Sequence, residues 1–423
     1  MRAECQFAKA GQGLFYNGLL VDQGGRSFSF VYDCGTLDAA SVLMNSISEH
    51  KALIGQRLDL LSVSHFHQDH VSHIPELIDG LELGTVVIPF VRPELRLLLA
   101  AQYDDISDDG DRIRMYGDPE MYFIAHGAER VIIASGDENK NGNDKFDFFG
   151  KPPEEYPQKE GKENLNHTVI IGNKTSADTT LFTNKADEYR GCFSIVAPSY
   201  LWEFRFKNLY YDCMRSNFWG DITKLLERHN NSFDEILKNK TYIKQLQKIY
   251  RDNFEGKFND TSLILLSRPL RRGWLVDKLS CWCNCSMVCS DCKDECIDDY
   301  LNHGQAATLL LGDLTEDYKL FDRYFHRIEN HISQIPQIIQ TPHHGAKIKH
   351  HSFCREFCHD LNRGRHLPIM LVASYGIKNR YGHPHLSSYK NCNHDDLCWR
   401  NTHIELVNER KDYSYTIIAG GDA

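Results

Sequence analysis

Leu58-Asp-Leu-Leu-Ser-Val-Ser-His-Phe-His-Gln-Asp-His70 decides how this chain reads: an apolar strand pattern runs straight into three imidazoles and a carboxylate. A strand buried in a sheet sets down whatever follows it at one fixed edge, so the pattern predicts a ligand loop held in place by a core. Imidazole nitrogen and carboxylate oxygen suit zinc, manganese or iron. The i, i+2 spacing of His65 and His67 lets both face one ion, and Asp69 and His70 can then address a neighbouring one. A histidine-rich surface loop without metal is the plain alternative, but chance rarely orders these residue types directly behind a buried strand.

Two further strand ends offer what a two-ion site still lacks. Asp313 closes Ala306-Ala-Thr-Leu-Leu-Leu-Gly-Asp313, and its two oxygens could bridge both ions. Alone, an apolar run ending in Gly-Asp is more often a simple turn. His343 and His344 follow the apolar run 335–340, and Gly345 permits a tight loop around them.

Working outward, SFSFVYDCG (27–35), a helical stretch near Ala39 to His50 and TVVIPF (85–90) alternate strands with a helix, which predicts an αβ layer pattern. The block from about 101 to 190 is polar and rich in glycine and proline. It reads as an insertion with few strands, RVIIAS and HTVIIG among them. Polar helices follow within 216–256 as a lid or side layer, and apolar strands (TSLILLS, ATLLLGD) bracket a third insertion at about 273–303, with a helix expected from Asp317 to His331. One domain spanning 1–423 accommodates all three.

The chain has 423 residues, a net charge of −10 and average hydrophobic and charged fractions, which fit a globular protein. Its first residues carry no signal-peptide pattern and no stretch reaches the roughly 18 apolar residues of a membrane span, so we expect a cytoplasmic protein without a membrane partner. The acidic balance gives no global attraction for nucleic acid, and any polyanion needs a local basic cleft. Six of the fourteen cysteines, Cys281, Cys283, Cys285, Cys289, Cys292 and Cys296, crowd into sixteen residues. Such density predicts a structural zinc knob, with a reduced, redox-reactive loop as the alternative. Cys354, Cys358, Cys392, His394 and Cys398 form a weaker second candidate.

The chain resembles the metallo-β-lactamase superfamily through its HxHxDH motif. It is most similar to the hydrolase domain of ComEC-type competence proteins and the related phosphorylcholine-esterase group. The companions are Gly11-Gln12-Gly13, Asp33-Cys34-Gly35, Asn259-Asp260-Thr261-Ser262, Leu311-Gly312-Asp313, Pro342-His343-His344-Gly345 and Asn379-Arg380-Tyr381-Gly382-His383-Pro384, in family order over most of the chain. The resemblance implies an α/β fold, the metallo-β-lactamase αββα sandwich, here with helical and cysteine-rich insertions. It implies two divalent metal ions, zinc or manganese, on His65, His67, Asp69, His70, Asp313, His343 and His344; the additional structural zinc is expected from the cysteine cluster itself.

Asp33 would orient a metal-bound imidazole, although it also reads as a turn aspartate before Gly35. His383 would stand beside the site as ligand, substrate contact or proton donor, or serve only as a turn histidine before Pro384. Two departures stand out. Ser72-His73 replaces the Gly-Gly that often follows the motif, and the Asn259 segment, placed behind the ligands, occupies the position of a separate mid-chain histidine.

The function expected first is a metal-dependent phosphodiesterase, a nuclease cleaving DNA through activated water, with Asp69, His344 and His383 in the proton transfers. Lys347, Lys349, Lys378 and Arg380 flank the proposed ligands and could neutralise phosphates, or be ordinary surface charge. A small-molecule hydrolase acting on a lactone, thioester or phosphoester is the second reading. A zinc-stabilised, non-enzymatic interaction module is the third. Nucleases of this class serve DNA processing or antiviral defence, settings that allow a protein partner in a larger complex.

Overall fold

Aspartate sets the turn between the second and third strands of the chain. Strands Arg2–Phe7 (β1), Gly13–Val21 (β2) and Ser27–Thr36 (β3) form an antiparallel meander. Between β2 and β3 the Asp22 carboxylate accepts from Gly24 N (2.8 Å) and Arg26 N (2.9 Å), the local capture that makes aspartate a turn former. The computed structural model describes residues 2–91, 96, 110–136, 168–174, 186–198, 202–208, 218–228, 239–254, 262–270, 274–276, 304–314, 335–347, 369–386 and 402–419.

From β3 the connections become crossovers. Helix Ala40–Ile54 (α1) leads to Arg57–Ser62 (β4), and the short helices Gln68–Val71 (α2) and Ile74–Ile78 (α3) lead to Glu82–Pro89 (β5). Helices Gly110–Gly117 (α4) and Pro119–Ala125 (α5) precede Arg130–Ser135 (β6). Strands β3 to β6 run parallel. Parallel strands are covered on both faces, and these divide their side chains accordingly. Phe30, Leu60, Val87 and Ile132 enter one core, while Val31, Leu61, Val86 and Val131 enter the other.

The second half continues the sheet. Val169–Lys174 (β7) pairs with Ala186–Val196 (β8), which lies parallel to β6 and antiparallel to Trp202–Asn208 (β9). Helices Phe218–Glu227 (α6) and Lys240–Phe254 (α7) come before Leu263–Pro269 (β10). Trp274–Val276 (β11), Gly304–Leu310 (β12), Ile335–Gln340 (β13), Ile369–Ser374 (β14), Thr402–Val407 (β15) and Tyr413–Ala419 (β16) complete it, β12 to β15 in parallel. The hydrogen-bonded order is β11-β16-β1-β2-β3-β4-β5-β6-β8-β9-β10-β12-β13-β14-β15.

This long sheet folds over on itself. β3 is far from β9 and β10 in that order, yet Phe30 meets the Phe204 ring at 5.0 Å and Tyr32 donates to Leu263 O at 2.6 Å. The fold therefore encloses one core between its two halves, with Phe7, Tyr16, Phe30, Phe204, Leu310 and Ile338 inside. A second core lies between the β3–β6 half and its helices, where Leu43, Leu77, Phe123, Ile222 and Leu246 are buried. Each such large side chain contributes about 1.5–3 kcal/mol by leaving water.

The result is a mixed α/β architecture with one large sheet. Helix, sheet and sheet are the three layers among the described residues. The expected helix at 317–331 and the cysteine-rich insertion lie outside them. Within the stretch expected as an insertion, β6 is hydrogen-bonded on both edges, to β5 and β8. Among the described residues no helix is long and apolar enough to cross a membrane.

Candidate metal centre

Four strand ends meet at one edge of the folded sheet. Beyond β4, Val63 N still bonds to Val87 O at 2.9 Å, and the chain then turns through Ser64 to His65 and on into α2. The end of β3 presses against this loop. A Cβ on Gly35 would lie 2.5 Å from His70 N and 2.6 Å from Gln68 O, so only glycine permits that approach.

After β12, the Gln340 side chain accepts from Leu311 N (2.9 Å) and Gly312 N (3.0 Å), while Ser262 Oγ accepts from Asp313 N (3.1 Å). These bonds aim Asp313 inward. After β13, His343, His344 and Gly345 all adopt left-handed backbone, with φ of 48°, 54° and 78°. Among the described residues the non-glycine positions with positive φ are Asp33, His343 and His344. Each costs on the order of 1–3 kcal/mol, and all three lie in this one place.

Hydrogen bonds determine which nitrogen each ring presents. Asp33 accepts from Ser64 N (2.6 Å), from Ser64 Oγ (2.6 Å) and from His70 Nδ1 (2.7 Å). His344 Nδ1 donates to Ser374 O at 2.9 Å. With Nδ1 committed as donor, the neutral ring keeps a lone pair on Nε2. Yet His70 Nε2 lies 3.0 Å from Asp313 Oδ1, and His344 Nε2 lies 3.1 Å from Asp69 Oδ2. Two acceptors face each other in each pair, a contact that requires a proton or a cation between them.

His65 makes the same point. Ser64 spends its single proton on Asp33, so its oxygen accepts from His65 Nδ1 at 2.9 Å. His65 Nε2 is then buried without a hydrogen-bond partner, an expense of about 1–3 kcal/mol unless something binds it.

Two groups could hold an ion among the described residues: Asp69, His70, Asp313 and His344, and then His65, His67 and Asp69. Within each, the ligand atoms lie within 4.8 Å of one another, and Asp69 belongs to both. The donor set of imidazole and carboxylate fits a divalent transition ion. His343 Nε2 stands farther off, 3.8 Å from Asp313. His383 borders both His343 and His344, with ring centroids 5.4 and 6.4 Å away, and Gln12 Nε2 reaches its Nδ1 at 3.5 Å.

The charges agree with this geometry. Burial opposes charge on His70, but Asp313, Asp33 and Asp69 overcome it and raise its pKa well above the usual imidazole value. Burial likewise disfavours the Asp313 carboxylate, yet His70, His343 and His344 hold it well below the usual range. Asp69 is lowered too, by His70 and His344 against its own burial. His65 and His67 are lowered, first by burial. His383 is pushed down to about 4 by burial, then by His343 and His344. A cation competes with protons for these same lone pairs.

The structure thus brings His65, His67, Asp69, His70, Asp313 and His344 together, with Asp33 behind His70 and His383 alongside. Lys347, Lys378 and Arg380 are exposed on the loops around it. Lys349, Asn259, the six cysteines of 281–296 and the second cysteine–histidine set lie outside the described residues. Sequence reasoning missed Ser64, which joins Asp33 to His65, together with Gln340, and it quoted Gln12 within a motif without assigning its contact to His383. Ser64 had one available signal, its place directly before the first ligand-type histidine.

No family model and no curated protein matches the chain. Among solved structures it is similar to a long form RNase Z from yeast, at 7% identity and a TM-score of 0.34 over 89% of this chain and 36% of that one. The chain thus spans about a third of that enzyme's length. A likeness this distant leaves function to the site itself.

Proposed function

We propose that the chain is a metal-dependent hydrolase of phosphodiesters in nucleic acid, with DNA the first substrate to test. One observation carries this reading. His70 and His344, whose Nδ1 atoms are already committed, aim Nε2 at carboxylates 3.0–3.1 Å away within one donor group, which shares Asp69 with a second group of His65 and His67. Bound to such donors, divalent ions acidify water and offset the charge that develops on a phosphate.

The side chains supply the rest. His65, His67, Asp69, His70, Asp313 and His344 are the holding residues, and Asp33 fixes His70 so that its ring cannot turn away. Asp69 would accept a hydrogen bond from the attacking water, and His383, whose ring borders His344, lines the approach from which a leaving oxygen would take its proton. Lys347, Lys378 and Arg380 are exposed beside it and meet the backbone charge of a strand.

Metal analysis of the purified protein, joined to cleavage assays on single- and double-stranded DNA and RNA with zinc, manganese and magnesium, tests the proposal. The expected result is metal bound in stoichiometric amount and strand cleavage that higher salt suppresses more than it suppresses hydrolysis of a small phosphodiester. A metal-loaded protein that hydrolyses lactones or thioesters and leaves every nucleic acid intact would overturn it.

A further inference from the structure

A line of aromatic rings leads from the proposed ligands out to solvent. His344 is buried, His343 and His383 follow at half-buried positions, and Tyr381 lies 5.6 Å from the His383 centroid with an interplanar angle of 31°. Tyr381 is 62% exposed. A large aromatic side chain left so open beside a polar site calls for an explanation, since its apolar faces gain nothing from water.

The loop that carries Tyr381 is fixed rather than merely exposed. Asn379 donates to Gly376 O (2.5 Å) and His383 O (2.7 Å), and its oxygen accepts from Tyr381 N (3.1 Å) and His383 N (3.0 Å). One amide thus clamps both sides of the turn. His385 N bonds to Gly345 O at 2.7 Å, tying the turn to the ligand loop. The ring is therefore presented next to His383, which itself borders His343 and His344, with the exposed cations Lys378 and Arg380 on the same turn.

We propose that Tyr381 is a stacking platform for a nucleobase of a single strand, seating the nucleotide beside the phosphate to be cleaved. This rests on the phosphodiesterase reading above and adds to it the strand form and the contact that places it. Stacking between base and aromatic ring tolerates any sequence, because every base has a π face. Flanking cations meet the phosphates on either side without reading sequence. A paired base has both faces covered by its neighbours, so the platform favours single strands, frayed ends or flaps over an intact duplex.

The test is a cycle between protein and substrate, using the full chain loaded with its metal and short single-stranded oligonucleotides. Wild type and Tyr381→Ala are each assayed on an intact strand and on strands abasic at one position, moved stepwise along the cleavage region. We expect Tyr381→Ala to raise KM on the intact strand by about fivefold or more, with kcat changed less. At one abasic position wild type should show the same rise, and the two losses should not add. Tyr381→Trp should restore KM, whereas a merely structural role for the phenol would not be rescued by a larger ring.

Additive losses at every position, or a Tyr381→Ala protein equal to wild type, would overturn the platform while leaving the phosphodiesterase reading in place. So would a loss reproduced in full by Lys378→Ala with Arg380→Ala, accompanied by a steeper response to salt and no dependence on the base. A metal-loaded wild type that cleaves no strand would overturn both.

Discussion

Charge is buried in two places in this molecule, and the two differ in kind. At the strand ends, carboxylates face imidazoles whose Nδ1 atoms already have partners. On the β8–β9–β10 strands, Glu203 is buried between two arginines. It accepts from Arg205 Nε (2.9 Å) and Ser194 Oγ (2.5 Å) on one oxygen and from Arg268 Nε (2.8 Å) on the other. Guanidinium has only donors and a permanent charge, so its lone-pair chemistry ends with the carboxylate. The first cluster is incomplete without a proton or a cation, whereas in the second both carboxylate oxygens already have donors. Burial of charge does not by itself mark a functional site; the donor set does.

Removing Asp69 breaks the comparison at its centre. Asp69 is shared by both groups, so Asp69→Ala should take metal-dependent hydrolysis to assay background and lower bound metal, while the fold, followed by circular dichroism, persists. Full activity in this variant would remove the cluster from the mechanism.

The second cluster answers differently. Arg268 and Arg205 outweigh burial and hold Glu203 below the usual carboxylate range. Glu203→Gln leaves two buried cations without their counter-charge, a change that costs about 3–5 kcal/mol. Urea unfolding of the metal-loaded protein should show that loss with metal content unchanged. A stability within about 1 kcal/mol of wild type would mean that the cluster is not the structural element its geometry describes.

Between these extremes stand the residues that hold ligands without being ligands. Ser64→Ala removes the hydroxyl that links Asp33 to His65, and Asp33→Asn weakens the acceptor for His70. Loss of such an orienting partner typically costs about 10–100-fold in metal affinity. Competition with a chelator measures it, and affinities equal to wild type in both variants would show that the rings are held by packing alone.

Much of the site is legible in residue type and order. The run that precedes the first ligand-type residues is a strand, Arg57–Ser62, and such residues likewise follow the strand before Asp313 and the one before His343. The linking groups are not legible, because their partners are distant in sequence: Gln340 bonds to Gly312 and Gln12 reaches His383. Left-handed backbone at His343 and His344 has no signature either, since neither is glycine. The Glu203 cluster is hidden for another reason. Alternation of charged and apolar residues along β9 ordinarily places the charges in water, whereas here Glu203 and Arg205 are buried. The polar surroundings of β6 likewise conceal that it runs inside the sheet.

A last contrast concerns a histidine that has only burial. His50, on α1, is 2% exposed, its ring edge-on to Phe15 at 5.9 Å and both nitrogens without a hydrogen-bond partner. Burial alone pushes its pKa down from 6.5 to about 4, whereas His70, equally buried but surrounded by three carboxylates, moves the other way. Between those two values the unfolded chain binds the proton and the folded chain does not. The stabilisation from a neutral His50 is thus complete above pH 6.5 and is lost as pH falls towards 4, at up to about 1.4 kcal/mol per pH unit. His50→Leu carries no such proton, so its unfolding free energy should decline less steeply than that of wild type between pH 6.5 and 4.5. Taking the difference between the two proteins cancels what the distant metal-site carboxylates and imidazoles contribute to both. Parallel curves would mean that water reaches the His50 ring, and that burial on α1 is not enough to separate this imidazole from the ones at the strand ends.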